Sequence, residues 1–448
     1  MAELIVIGGG LAGSEAAWQA AKMGIQVTLF EMRPKTQTGA HTTENMAELV
    51  CSNSFGSNLL DRASGLLKGE LKKFNSLLIE AAENSSVPAG SALAVDRNVF
   101  SETITSKIES HPLITVERAE ITSIPQQTTI IASGPLTSDS LANSIKELTG
   151  GSSLYFYDAL SPIIEADSIN LDIAFFGSRY NKGILPEGDY LNCPLGKEQY
   201  DQFVYALLKA DEIPLRSFES SISEGVQAGH PSYFEACMPV EEMARRGENS
   251  LAFGPMRPIG IYDPKTNRRP YAVLQLRRDD LAGNLYNMVG FQTNLKFTEQ
   301  DRVFRLVPGL ENAEFIRYGQ MHRNTYISSP QHLLPTLQYN QRNNLFFAGQ
   351  ITGVEGYAGS IATGLLAGLN SARYIKGLEP IQLPKTTMIG ALLHYITTSE
   401  AKQFQPMKAN FGLFPVLERK VKGKRARGLA HAQRALADLD LFIANMSS

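Results

Sequence analysis

The chain has 448 residues, 43% of them hydrophobic and 19% charged, and a net charge of −3 from 42 basic and 45 acidic side chains. At roughly 150 residues per domain this is a globular protein of two or three domains, and nucleic acid could be held only by a local basic patch. The hydrophobic runs fall short of the ~18 residues that span a bilayer, and the three scattered cysteines lack a C-x-x-C. Membrane insertion, a disulfide framework and a bound metal are therefore not expected. No leader is visible before the first strand, so a cytoplasmic setting is expected.

The predicted elements begin with Glu3-Leu4-Ile5-Val6-Ile7, which reads as a buried parallel strand. Gly8-Gly9-Gly10-Leu11-Ala12-Gly13 follows, and residues 14–21 are dense in helix formers, with Gly24 placed to end the helix. Strand, glycine turn and helix give G-x-G-x-x-G the context of a dinucleotide-binding fingerprint. Gly8 permits the tight turn, Gly10 the approach of a pyrophosphate to backbone N–H groups, and Gly13 close helix–strand packing. Gly9, Leu11 and Ala12 complete this part of the cofactor-binding set. A second strand, residues 25–30, ends in Glu31, 18 residues past Gly13, where such folds put a carboxylate on ribose hydroxyls. The competing reading is a glycine-rich turn without a ligand.

Residues 34–57 lose periodicity and read as a long loop, a kind that is usually functional. Residues 61–85 carry helical spacing, with Leu66, Leu67, Leu71, Phe74, Leu77 and Leu78 on one face. Ala92-Leu93-Ala94-Val95 reads as a strand, and Asp96-Arg97 leads into a helix over 99–109. Strands follow at 115–117 and 128–132, the second breaking at Ser133-Gly134-Pro135. From about 178 to 280 the alternation is irregular, with arginine pairs at 245–246, 268–269 and 277–278. The expected architecture is an α/β, Rossmann-like two-dinucleotide FAD-binding fold formed by 1–180 and 281–448, with a smaller α+β substrate domain inserted at 181–280.

Asn344-Leu345-Phe346-Phe347-Ala348-Gly349-Gln350 is another strand ending at glycine, followed by Gly353, Gly356, Gly359 and a helix over 361–375. Gly349, Gln350 and Gly353 join the cofactor set, because this helix start would face the flavin or its phosphates. An amphipathic segment spans 386–398. Residues 418–427 then carry six basic side chains in ten, either a solvated face or a phosphate-tracking patch. Arg245, Arg246, Arg268, Arg269, Arg419 and Lys420 are the candidate RNA contacts.

The opening stretch with Phe30-Glu31-Met32-Arg33-Pro34 resembles that of the folate- and FAD-dependent tRNA (uracil-5-)-methyltransferases. The resemblance continues through Ala47-Glu48-Leu49-Val50-Cys51-Ser52-Asn53-Ser54, Ala94-Val95-Asp96-Arg97, Cys237-Met238-Pro239-Val240-Glu241-Glu242, Asn287-Met288-Val289-Gly290-Phe291-Gln292-Thr293 and Gly349-Gln350-Ile351-Thr352-Gly353-Val354-Glu355-Gly356-Tyr357. These blocks cover the chain end to end. Phe55-Gly56 stands where many members carry Leu-Arg, and Ala358-Gly359-Ser360 replaces a commoner Val-Glu-Ser. The resemblance implies FAD, 5,10-methylenetetrahydrofolate and NADH or NADPH as cofactors and co-substrates, and a T-loop uridine of tRNA as target. A ribosomal RNA uridine and a plain FAD-dependent oxidoreductase acting on a small molecule are the alternatives. Monomer and dimer are equally compatible with the sequence.

Methylation at C5 of uracil needs a thiol to add at C6, a one-carbon donor, and a base for the C5 proton. Cys237, just before the helix-favouring residues 240–244, is the expected nucleophile, because a helix start stabilises a thiolate. Cys51, in the long loop, is expected over the flavin, with the reverse assignment open. Cys193 reads as a small buried hydrophobe. His322 is expected in a loop near the flavin, in a structural role.

Overall fold

The first hydrophobic run forms β1 (Leu4–Ile7), which passes through the glycine turn into α1 (Leu11–Lys22) and β2 (Val27–Phe30). The computed structural model describes residues 4–38, 40–150, 153–213, 238–401 and 404–447, with backbone alone at 153–159, 321–325 and 447. The long loop ends in β3 (Ser54–Ser57), followed by α2 (Ala63–Lys73), α3 (Leu77–Asn84), β4 (Ser86–Val87) and β5 (Ala92–Val95). Then come α4 (Arg97–Glu109), β6 (Ile114–Glu117), β7 (Thr129–Ile131) and α5 (Asp139–Leu148). The middle of the chain holds β8 (Ser153–Ala159), β9 (Ile163–Glu165), β10 (Phe175–Gly177), β11 (Tyr190–Leu195), α6 (Lys197–Leu208), α7 (Val240–Arg245) and α8 (Ser250–Phe253). After these run β12 (Ala272–Arg278), β13 (Leu285–Met288), α9 (Phe297–Phe304), β14 (Phe315–Arg317), β15 (Met321–Ile327) and α10 (Ser329–His332). The last elements are β16 (Gln338–Tyr339), β17 (Arg342–Phe347), α11 (Tyr357–Ile375), α12 (Met388–Thr398) and α13 (Lys424–Ser447).

One sheet runs β16-β17-β7-β1-β2-β6 and is parallel from β17 to β6. Leu4, Val6, Leu29, Ile130 and Phe346 are fully buried in it, as strands covered on both faces require. The other sheet, β10-β11-β12-β13-β9-β14, is antiparallel and covers a separate core that includes Phe203, Leu274, Phe291 and Phe304. It draws strands from 163 to 317, on both sides of the 181–280 segment. β9 and β14 have three residues each, too short for a period-two pattern to register.

Two local expectations are corrected. Residues 61–85 form two helices: Asn75 takes a φ of +55°, and Ser76 caps α3 by accepting from the Ile79 N–H at 3.3 Å. His322 lies in β15, paired along its whole length with β8, so it is a strand residue.

α1 and α11 pack backbone to backbone. A Cβ on Gly364 would meet the Ala12 carbonyl oxygen at 2.2 Å, and one on Gly368 the Ala16 carbonyl oxygen at 2.4 Å. This approach brings the starts of both helices to the same end of the parallel sheet. No helix of the described residues is long and apolar enough to cross a membrane.

Candidate functional site

The carboxyl ends of β1, β2, β7 and β17 open into a cleft, the place where open α/β sheets bind their ligands. Gly8, Gly10, Leu11 and Ala12 line its middle, Glu31 and Glu120 line one end, and Gly349, Gln350 and Tyr357 the other. The turn from Ala132 to Ser138 forms one wall. Neither α1 nor α11 has a side-chain cap, their N-cap residues being Gly10 and Gly356. Unsatisfied N–H groups and the positive ends of two helix dipoles thus converge where an anionic ligand would lie.

The glycines of the turn differ in what surrounds them. Gly8 turns at a φ of +104°, and a Cβ on Gly13 would sit 1.8 Å from the Gly8 carbonyl oxygen. A Cβ on Gly10 would touch nothing within 4 Å and would project into open space. Gly9 lies behind the wall, its N–H donating to Glu31 Oε2 at 2.9 Å. Gly349 has a φ of +84° and donates its N–H to Thr363 Oγ1 at 2.8 Å. Gly353 does not line the cleft; it makes a left-handed turn against the Phe404 ring.

Glu31 is buried and largely committed to the protein itself. Its Oε1 accepts from the Arg33 backbone N–H at 3.0 Å and from Arg33 Nε at 2.9 Å. Burial pushes the carboxyl up, but Arg33 and the Gly9 N–H outweigh it and hold the group below its ordinary value. A carboxylate has about four acceptor positions, so the three bonds leave one open on a residue that lines the cleft.

Arg33 also organises the long loop. Its Nη1 donates to Glu48 Oε2 and the Thr43 carbonyl, each at 3.1 Å, and Nη2 donates to the Asn45 carbonyl at 3.1 Å. Glu48 in turn accepts from the N–H and hydroxyl of both Thr42 and Thr43. A loop without secondary structure is thereby tied to the end of β2 by buried, charge-assisted bonds.

The next residues of that loop lie where the two sheets meet. The Tyr357 hydroxyl accepts from the Cys51 and Ser52 N–H groups, both at 3.0 Å. Arg97 donates from Nη2 to the Cys51 carbonyl at 3.4 Å and from Nη1 to the Leu49 carbonyl. Its Nε faces both oxygens of Asp279 at 3.0 and 2.9 Å. Asn53 accepts from Arg277 Nε at 2.8 Å and donates to the Val95 and Arg278 carbonyls. The main chain around Cys51 is thus fixed from α4, α11 and β12 together. Burial pushes the Tyr357 hydroxyl up, so it stays protonated.

Of the two expected catalytic thiols, Cys51 is at this junction, whereas Cys237 lies outside the described residues. α7 begins at Val240, close behind it. Cys193 is fully buried in β11, and burial pushes its thiol up. Arg245 is bound to Glu212 and Glu242. Arg246, Arg268, Arg269, Arg419 and Lys420 are exposed. Further along the basic run, Arg425 reaches buried Asp61 at 3.2 Å, so part of that run docks against the protein itself. Arg97, Asp279, Arg277 and Tyr357 were not singled out as site residues. Arg97 and Tyr357 stood inside the motif blocks, but their partners are up to 306 positions away. A signal for Arg277 existed in the hydrophobic run Ala272-Val273-Leu274 leading into it.

The family model described as glucose inhibited division protein A matches residues 3–379. The chain is 56% identical over 434 residues to the methylenetetrahydrofolate–tRNA-(uracil-5-)-methyltransferase TrmFO of Enterococcus faecalis, covering 97% of each. It is 55% identical over 438 residues to the protein of the same name from Bacillus cereus, covering 98% of each. Among solved structures, GidA of Aquifex aeolicus in its form II crystal superposes with a TM-score of 0.69 at 16% identity, over 98% of this chain and 73% of that one. That likeness establishes a shared fold alone. With near-complete coverage by its relatives and a dinucleotide cleft that meets a clamped cysteine loop, the chain belongs to the methylenetetrahydrofolate–tRNA-(uracil-5-)-methyltransferase family.

Proposed function

We propose that the protein makes 5-methyluridine in the T-loop of tRNA in the cytoplasm, with 5,10-methylenetetrahydrofolate as carbon donor, NADH or NADPH as reductant and FAD between them. The observation that carries this reading is the Cys51 junction: Tyr357 both lines the dinucleotide cleft and holds the Cys51 and Ser52 amides. FAD fits the residues present. The open space in front of Gly10 and the two uncapped helix starts suit its pyrophosphate, and the spare acceptor position of Glu31 suits the adenosine ribose. Gly349, Gln350 and the start of α11 would face the flavin. Reduced FAD supplies the two electrons that take a methylene unit to methyl.

The chain's own residues do the remaining work. One thiol adds as its thiolate to C6 of the uracil, which makes C5 nucleophilic toward the one-carbon unit; a base then takes the C5 proton, and the thiolate leaves C6 as the C5–C6 double bond re-forms. Cys237 is assigned the attack. Cys51, whose main chain is held by Arg97 and Tyr357, is assigned to proton removal or to shielding the reacting carbon. Fixing that main chain limits the directions its thiol can take, which is how positioning contributes to rate. The exposed arginines of 268–269 and the basic residues of 419–420 are assigned to RNA phosphates. Arg245 is the weakest of the group, since two carboxylates already hold it. The test is incubation with unmodified tRNA, labelled methylenetetrahydrofolate and NAD(P)H, followed by nucleoside analysis. Labelled 5-methyluridine at the T-loop position is expected. Oxidation of NAD(P)H without any methylated nucleoside would overturn the reading.

A further inference from the structure

Arg317, at the end of edge strand β14, turns its guanidinium into the junction between the sheets. Its Nε and Nη2 are buried and have no hydrogen-bond partner among the described residues. Cys51, Tyr357, Arg97 and Asp279 are all within its electrostatic reach. The nearby carboxylate of Asp279 accepts from Arg97 Nε at both oxygens and makes no hydrogen bond to Nε or Nη2 of Arg317. Arg277 adds a third buried guanidinium, bonded to the neutral Asn53. Three cations therefore surround one anion. Burial and the charge of Arg97 push Arg317 down to about 10, so it still carries its proton at neutral pH.

The orphaned atoms are informative as a pair. Nε–H and Nη2–H form one straight edge of the guanidinium, two parallel donors that match two oxygens of a single carboxylate or phosphate. An unmade bond on a buried charged donor is costly, and such a donor in a native protein calls for a partner such as a water, an ion or a bound ligand. A single carbonyl oxygen could meet both donors only with both bonds bent, whereas two oxygens side by side meet each in line. We propose that the Nε/Nη2 edge of Arg317 is the binding site for an oxyanion of the substrate, a carboxylate or phosphate presenting two oxygens side by side. This rests on the functional reading above, in which folate brings carboxylates and RNA brings phosphates to the same junction. The edge would anchor the substrate beside Cys51 while taking no part in bond making.

The experiment uses the full chain loaded with FAD and two pairs of ligands differing in the anion: UMP against uridine, and folic acid against its glutamate diamide. The wild type is expected to prefer the charged member of one pair, and Arg317→Leu to lower that member's affinity roughly ten- to hundredfold with the neutral member unchanged. Loss confined to UMP assigns the edge to an RNA phosphate, and loss confined to folic acid assigns it to the glutamate carboxylate. Arg317→Lys, which keeps the charge but not the fork, should fall between; it carries the comparison if the leucine variant does not retain FAD and native circular dichroism. An undiminished preference in the variants, or no preference in the wild type, overturns the proposal. Binding is read without turnover. A wild type that shows the Arg317-dependent preference but does not methylate tRNA would sink the functional reading and leave the oxyanion site standing.

Discussion

Replacing Arg33 by methionine should unfasten the loop that carries Cys51. Arg33 is among the largest fully buried side chains, and its guanidinium serves two carboxylates and two carbonyls. Methionine can occupy the stem's volume but none of the bonds, so Glu31 and Glu48 are left buried without their cation. Breaking a buried pair in this way costs about 3–5 kcal/mol, which urea unfolding followed by circular dichroism would report at fixed FAD concentration. The pH dependence has a definite sign. Glu31 and Glu48 are both held below the ordinary value of 4.5. Their contribution to stability is therefore full above the unfolded value and is lost as pH falls through the lower folded one. The gap between wild type and Arg33→Met should be widest near neutrality and narrow below about pH 4.5 as the orphaned carboxylates take up protons. Arg33→Lys should recover only part of the loss, since an ammonium cannot reach Glu31, Glu48, Thr43 and Asn45 together. A loss under about 1 kcal/mol at pH 7 would put the pair in the class of exposed ion pairs and refute the argument. A gap that widens on acidification would refute it equally.

Gly10→Val should give folded, colourless protein, because its side chain enters the cleft without touching a wall, and absorbance at 450 nm against circular dichroism checks this. Gly13→Ala should instead lose about 1–3 kcal/mol of stability through overpacking against Gly8; a stable Gly13→Ala variant would contradict the close approach. Glu70 accepts from the Met388 and Ile389 N–H groups in a fully buried site, and burial raises it to about 8. With the folded value above the unfolded one, stability is lost as pH rises from about 4.5 to 8, at up to about 1.4 kcal/mol per pH unit. Glu70→Gln should flatten that slope, as unfolding free energies at pH 5 and pH 8 would reveal. With RNA carrying 5-fluorouracil, Cys237→Ala should abolish the covalent adduct while Cys51→Ala need only lose turnover; the opposite pattern exchanges their roles.

What the sequence disclosed and what it hid follow from the range of the forces involved. The demands on Gly8 and Gly13 are local, a positive φ and a contact five residues away, so a short motif contains them. Glu31 stands just past the end of β2, and most of its acceptor capacity supports Gly9 and Arg33. That could not be read from spacing, because it depends on a loop folding back through Thr43, Asn45 and Glu48. The second sheet was not legible strand by strand, because from about 178 to 280 the alternation reads as irregular even where β11 and β12 run. Its three-residue strands escaped, and the expected boundaries at 181 and 280 were drawn inside it.

The arginine pair at 277–278 carries the same lesson to the site itself. Two adjacent cations near the end of a hydrophobic run look like the point where a strand emerges into water, and Arg278 does lie partly exposed. Alternation along β12 sends Arg277 to the opposite face, and there the strand is covered by the loop from the other sheet. Asn53 meets the guanidinium and Arg97 binds Asp279 two residues further on. Charged residues on one short stretch are thus drawn inward by partners 182 and 224 positions away. Buried cations arranged this way weaken a fold unless each is answered, and Arg317 is the one not answered by the described residues. The junction is therefore better understood as a place built to receive a negative group beside Cys51 than as a joint between two domains.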